Sequence, residues 1–117
     1  MTKIMIVDDD RTMVKLLKTL LELDKFEVSV VANGGEVLGR ARQIQPDIFF
    51  MDYHLADIDG VEVVRELRAT DQFAMTPIVV TSGLDVEDEV IEAGANRFLI
   101  KPFEPASLPQ LFAELIG

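Results

Sequence analysis

Three short apolar runs in this chain each stop at a charged residue, and that pattern narrows the possible folds more than any other feature. Ile4-Met5-Ile6-Val7 runs into Asp8-Asp9-Asp10, Ile48-Phe49-Phe50-Met51 into Asp52, and Phe98-Leu99-Ile100 into Lys101-Pro102-Phe103. Continuous apolar runs of this length, bounded by polar residues, read as strands buried on both faces of a parallel sheet. Parallel strands point one way, so their last residues gather on one edge, where open α/β sheets bind ligands. The pattern therefore predicts Asp8, Asp9 and Asp52 crowded together with Lys101 close by. Clustered carboxylates repel one another unless a proton or a hard cation lies between them. Oxygen ligands at this density suit Mg²⁺, which keeps several waters and takes one or two carboxylates plus phosphate oxygens. The chemistry indicated is phosphoryl transfer.

The chain length of 117 residues fits one domain, 1–117, able to bury roughly two-thirds of its unfolded surface. No apolar run approaches the ~18 residues a membrane span needs, and no basic segment leads into an apolar stretch at the N-terminus as a secretory signal would. The expected location is the cytoplasm, with no membrane partner; the absence of cysteine excludes disulfides and thiol chemistry. A net charge of −10 argues against direct nucleic-acid binding, which wants a basic face.

Strand and helix patterns alternate five times. A strand of about residues 3–8 leads into a helix of about 11–24, whose face is read from Met13, Leu16, Leu17, Leu20 and Leu23. Asp10 is placed as its cap. A strand over 26–32 ends at Asn33-Gly34-Gly35, and Val37, Leu38, Ala41 and Ile44 mark the next helix, stopped by Pro46. Residues 47–52 form the third strand. Asp59-Gly60-Val61-Glu62 has the form of a capping box opening a helix to about Arg68. A polar connection over 70–76 precedes a strand over 78–81, and Asp85 is placed as the cap of a short helix that Gly94 ends. The fifth strand covers 96–100. Pro109 would disrupt a helix begun at Pro105, so the last helix is placed at 108–116, capped by Ser107 with Gln110 reaching back. This (βα)₅ alternation with short connections predicts a doubly wound five-stranded parallel α/β sheet.

With these elements placed, the chain resembles a response-regulator receiver domain of the CheY-like family over essentially its whole length. The family pattern is an acidic pair after the first strand, an aspartate ending the third, a Ser/Thr ending the fourth and a lysine ending the fifth. Those positions hold Asp8-Asp9, Asp52, Ser82 or Thr81, and Lys101. Asp59-Gly60 and Lys101-Pro102-Phe103 also match. The resemblance implies a flavodoxin-like sheet of order 2-1-3-4-5. It implies that Asp52 accepts a phosphoryl group from a sensor histidine kinase or a histidine phosphotransfer protein, a nucleophilic step that needs Mg²⁺ and an ammonium to spread the charge. By resemblance Asp9 and Asp52 bind the metal directly, Asp8 through water, and His54 through its backbone carbonyl. Ser82 and Thr81 compete for the hydroxyl that receives a phosphoryl oxygen, and the family spacing from Pro77 favours Ser82. Phe98 occupies the aromatic switch position. Ala56 stands where the family often has proline, which should loosen the loop between Asp52 and Asp59. The segment between Ser82 and Lys101 is shorter than usual, leaving the length of the fourth helix open.

The resemblance further implies slow loss of the phosphoryl group to water and a signalling role rather than an enzyme's. Phosphorylation would change the face formed by the fourth helix, fifth strand and fifth helix, read by an unidentified effector or by a second copy in a homodimer. The chain is expected to be a stand-alone regulator or the receiver of a longer protein. A haloacid-dehalogenase-like phosphatase is the rival: Asp8-Asp9-Asp10-Arg11-Thr12 fits its pattern, with Asp8 as nucleophile and Asp10 as acid/base. That reading leaves Asp52 without a role and lacks a later acidic pair. An FMN carrier would need amides, not three aspartates, in its first loop. A receiver-like interaction module that takes no phosphoryl group is the third alternative.

Overall fold

The computed structural model describes all residues, Met1–Gly117. Five strands, β1 (Lys3–Val7), β2 (Glu27–Val31), β3 (Ile48–Asp52), β4 (Ile78–Ser82) and β5 (Arg97–Ile100), alternate with five helices, α1 (Arg11–Leu23), α2 (Val37–Ile44), α3 (Gly60–Arg68), α4 (Glu87–Ala93) and α5 (Leu108–Ile116). All strand pairs are parallel, in the order β2-β1-β3-β4-β5. β3 and β4 are buried along their whole length and β1 from Ile4 on, whereas the edge strands β2 and β5 are only partly covered. That is why the central strands are continuous apolar runs.

Side chains alternate across the sheet and feed two cores. Ile4, Ile6, Ile48, Phe50 and Val79 pack with Val14, Leu17 and Leu21 of α1 and with Leu108 and Phe112 of α5. Met5, Val7, Phe49, Met51 and Val80 pack with α2, α3 and α4 on the opposite face. Burying each such side chain contributes about 1.5–3 kcal/mol against the entropy of ordering the chain.

Several local expectations are corrected. The buried stripe of α1 is Val14, Leu17 and Leu21, while Leu16, Leu20 and Leu23 are 53%, 37% and 72% exposed. The helix carries apolar residues around much of its circumference, and the sheet takes the side centred on Leu17. The connection after α3 is not merely polar: Asp71–Phe73 forms one 3₁₀ turn, and Phe73 is buried edge-on against Phe49 at 5.6 Å. The capping box at α3 is absent: Asp59 makes no side-chain cap, and Glu62 pairs with Arg65 at 2.7 Å instead of reaching back. Ser107 likewise does not cap α5. Its hydroxyl donates to the Glu104 carbonyl, closing a 3₁₀ turn over Pro105–Ser107. At α4 the cap position falls to Val86, with Asp85 accepting only a long bond from the Glu87 N–H at 3.4 Å. β4 runs one residue further than expected, through Ser82. α4 is short, at seven residues.

Candidate functional site

β1 and β3 are neighbours in register, Val7 opposite Met51, so the residues that follow each strand meet at the carboxyl edge. Carboxylate oxygens of Asp8, Asp9 and Asp52 lie within 4.8 Å of one another. Asp8 is 3% and Asp52 8% exposed, while Asp9 is open to solvent. β5 delivers Lys101 across β4, its backbone N–H donating to the Ser82 carbonyl at 2.8 Å. Its Nζ reaches Asp52 Oδ1 at 3.3 Å. The Lys101–Pro102 peptide is cis. The expected quartet is therefore assembled.

One ammonium does not neutralise three carboxylates. Burial, reinforced by the Asp52 charge, pushes the Asp8 carboxyl up to about 6, even though it accepts the Asp10 N–H and feels Lys101. A buried acid raised this far beside two others fits a site that takes up a cation. Hard oxygen donors fit Mg²⁺. The carbonyl oxygen of His54 also accepts no hydrogen bond within the protein. The imidazole of His54 is exposed and packs edge-on against Tyr53, ring centroids 4.6 Å apart. Asp10 stands apart from the cluster: its carboxylate caps α1 by accepting the Met13 N–H at 3.1 Å. The acid/base that a dehalogenase-like phosphatase requires is thus committed to the helix.

The two hydroxyls at the end of β4 face different ways. Thr81 is in register with Asp52 and alternates with Val79 towards α1 and α5. It is fully buried, and its Oγ1 has no hydrogen-bond partner. Ser82 alternates with Val80 towards α4, on the face that Phe98 shares. Its Oγ accepts the Leu84 N–H at 3.1 Å. Phe98 is half-buried and forms part of a surface hollow with Asp85, Glu87 and Ile100.

The loop behind Asp52 is fixed at several points despite having Ala56 in place of proline. Asp57 accepts the Gly34 and Gly35 N–H groups at 2.9 and 2.8 Å, and these bonds draw its carboxyl below the usual range. His54 bridges to Asp59. The Gly60 N–H donates to the Tyr53 carbonyl at 2.7 Å, and a Cβ at Gly60 would lie 2.6 Å from the Asp52 carbonyl oxygen. Only glycine lets α3 start this close behind the aspartate. Sequence reasoning missed Asp57, whose partners are backbone amides without a sequence signature. It also missed Tyr53, whose hydroxyl donates to Glu89 of α4 at 2.8 Å and is thereby held above its ordinary pKa.

A flavodoxin-like sheet with an acidic pocket and a lysine at its carboxyl edge defines the class of protein. The chain belongs to the response regulator receiver domain family, whose model matches residues 4–113. It is 39% identical over 109 residues to the transcriptional regulatory protein PrrA of Mycobacterium leprae, covering 91% of this chain and 46% of that protein. The chain thus spans about half the length of the curated relatives it matches. A putative response regulator of Chloroflexus aurantiacus superposes with a TM-score of 0.92 at 32% identity, covering 98% of this chain and 97% of the other. The receiver domain of a sensor histidine kinase of Pseudomonas aeruginosa superposes with a TM-score of 0.89 at 28% identity over 99% and 98% of the chains; that structure has a magnesium ion coordinated in its active-site cleft. No helix here is long and apolar enough to cross a membrane.

Proposed function

We propose that the receiver unit, residues 1–117, accepts a phosphoryl group on Asp52 from a histidine kinase or histidine phosphotransfer protein in the cytoplasm. The observation that carries this reading is the buried carboxylate pair, Asp8 and Asp52, with Asp9 beside it and Lys101 on Asp52 Oδ1. An Asp52 carboxylate oxygen forms the new P–O bond as the P–N bond to the donor imidazole breaks, and the ring leaves as neutral imidazole, the departing nitrogen keeping the electron pair and the other ring nitrogen its proton. Asp9, Asp52 and the His54 carbonyl would hold Mg²⁺ directly and Asp8 through water. Bound there, the ion would supply charge neutralisation for the incoming phosphoryl oxygens. Lys101 exchanges its bond to Asp52 for one to a phosphoryl oxygen.

Ser82 is the hydroxyl assigned to another phosphoryl oxygen, because it shares a face with Phe98 and α4 and so can pass on the change. Thr81 is the second choice, supported by its register with Asp52. Turning of the Ser82 hydroxyl frees room for Phe98 to shift inward and repacks the α4/β5/α5 face for an effector. Water later removes the phosphoryl group, with the domain assisting its own labelling and slow release. No direct nucleic-acid contact is assigned to this acidic chain.

The test is labelling with a small phosphodonor. Acid-stable, hydroxylamine-labile label is expected on Asp52, only with Mg²⁺ present and absent from Asp52→Asn. Equal labelling of that variant, or label on Asp8, would return the dehalogenase-like reading. Loss of coupling to Phe98 in Thr81→Ala but not in Ser82→Ala would exchange the two hydroxyls.

A further inference from the structure

The charge of this protein is not evenly spread. From Ala69 to Asn96 there are six carboxylates and no lysine or arginine, so this stretch carries six of the ten net negative charges. Five of them, Asp85, Glu87, Asp88, Glu89 and Glu92, belong to α4 and the turn before it. Glu89 is tied to Tyr53, while the other four are exposed with no cationic partner. Beside them lies a hollow of about 230 Å³ formed by Asp85, Glu87, Phe98 and Ile100. Ile100 is 52% exposed on the open edge of the sheet, and Ile91, 42% exposed, shares the α4 face of Glu87, Asp88 and Glu92. An apolar floor with a rim of one charge sign selects its partner by complementarity.

We infer that the α4/β5 face docks a basic amphipathic helix of a partner protein, with aliphatic side chains on Ile91, Ile100 and Phe98 and lysines or arginines over Asp85, Glu87, Asp88 and Glu92. A second copy of the chain is the poorer occupant. A two-fold interface would set the same α4 carboxylates near their counterparts, with Arg97 the one exposed cation on β5 to offset them. The site deepens the signalling role proposed above, and its dependence on phosphorylation rests on that reading, because Phe98 forms both the hollow and the assigned switch.

The probe is an 18-residue helical peptide with leucines on one face and lysines on the other, compared with the same peptide bearing glutamates. Amide shifts of the full 117-residue chain are mapped at physiological salt. The lysine peptide is expected to perturb residues 84–100, and the glutamate peptide to leave the spectrum unchanged. Glu87→Lys/Asp88→Lys/Glu92→Lys should weaken binding at least tenfold, and Ile91→Ser/Ile100→Ser at least fivefold at constant charge. Reversing Glu62, Glu66 and Asp71 should change it less than twofold. Shifts spread over Asp8, Asp9 and α3, or equal loss in both reversals, would reduce the effect to general attraction and overturn the inference. Sedimentation showing a dimer that the α4 reversal abolishes would overturn it in favour of a second copy. Phosphodonor labelling, run in parallel, should tighten peptide binding severalfold. If Asp52 takes no label while the peptide still maps to α4, the phosphoacceptor reading fails and the docking face stands.

Discussion

The two edges of the sheet treat charge in opposite ways. At the carboxyl edge three carboxylates cluster around one ammonium, which lies 3.3 Å from Asp52 Oδ1, and Asp8 is held up to about 6. At the amino edge Arg68, at the end of α3, is half-buried with no carboxylate bound, yet it is well satisfied. Its Nε donates to the Gly94 carbonyl, Nη1 to the carbonyls of Phe73 and Thr76, and Nη2 to Asn96 Oδ1, at 2.7–2.9 Å. Asn96 Oδ1 also accepts the Ile78 N–H that opens β4. Burial lowers the Arg68 pKa, but a guanidinium stays charged at neutral pH. One edge fixes four chain segments with a satisfied charge, and the other holds unsatisfied charge for a ligand. Stability and function are separated by the length of the strands.

The largest effect that can break this comparison is at the amino edge. Arg68→Ala removes four charge-assisted hydrogen bonds and leaves the Gly94 and Thr76 carbonyls without a donor, while the Phe73 carbonyl keeps the Thr76 N–H. The expected loss is about 3–4 kcal/mol in denaturant melts, with phosphodonor labelling of the remaining folded protein intact. Arg68→Lys keeps the charge but not the fork, and should still lose about 2 kcal/mol. A loss below about 1 kcal/mol in Arg68→Ala would show that the carbonyls find water at no cost and that this edge is no anchor.

The next effect has the opposite sign. Asp8→Asn should stabilise the metal-free protein at pH 7, by up to about 3 kcal/mol before solvent screening, while weakening Mg²⁺ binding tenfold or more. The pH dependence separates this from general electrostatics. The folded pKa of Asp8 is raised from 3.8 to about 6, so the folded state holds the proton more tightly than the unfolded chain. Its contribution is complete below pH 3.8 and is lost as pH rises through 6. The stability difference between variant and wild type should therefore open between pH 4 and 6 and stay constant above. Wild-type Mg²⁺ affinity should fall below pH 6, where the ion must displace that proton. A difference independent of pH would remove Asp8 from the acidic cluster.

The carboxyl edge was more legible in the sequence than the amino edge, for a physical reason. Parallel strands put Asp8, Asp52 and Lys101 at equivalent strand ends, so apolar runs alone locate them. Arg68 bonds mainly to backbone carbonyls, which every residue has, and nothing in the sequence marks which ones will converge. Helix boundaries were legible through Pro46, Gly94 and Pro109, and the Asp10 cap was found. The buried face of α1 was not, because Val14, Leu17 and Leu21 and the exposed Leu16, Leu20 and Leu23 fit the same helical period. Thr81 and Ser82 were competing readings in the sequence, and the structure gives each its own face of β4.

The smallest effect sharpens what the carboxyl edge is for. Lys101 lies 3.3 Å from Asp52 Oδ1 with its side chain 29% exposed, a geometry in which a screened ion pair contributes about 1 kcal/mol. Removing the ammonium also leaves the repulsion among Asp8, Asp9 and Asp52 with less to offset it. Lys101→Ala should therefore lower stability by about 1 kcal/mol without metal, and by less with saturating Mg²⁺, because the cation takes over the same neutralising role. Melts of both proteins with and without Mg²⁺ form a cycle whose coupling term isolates that shared role. Arg68→Ala, run through the same cycle, should show no coupling to the metal, since the sheet stands between the two charges. A cost for Lys101→Ala that is independent of Mg²⁺ would place the lysine outside the acidic cluster, and the contrast between the two edges would reduce to one of burial.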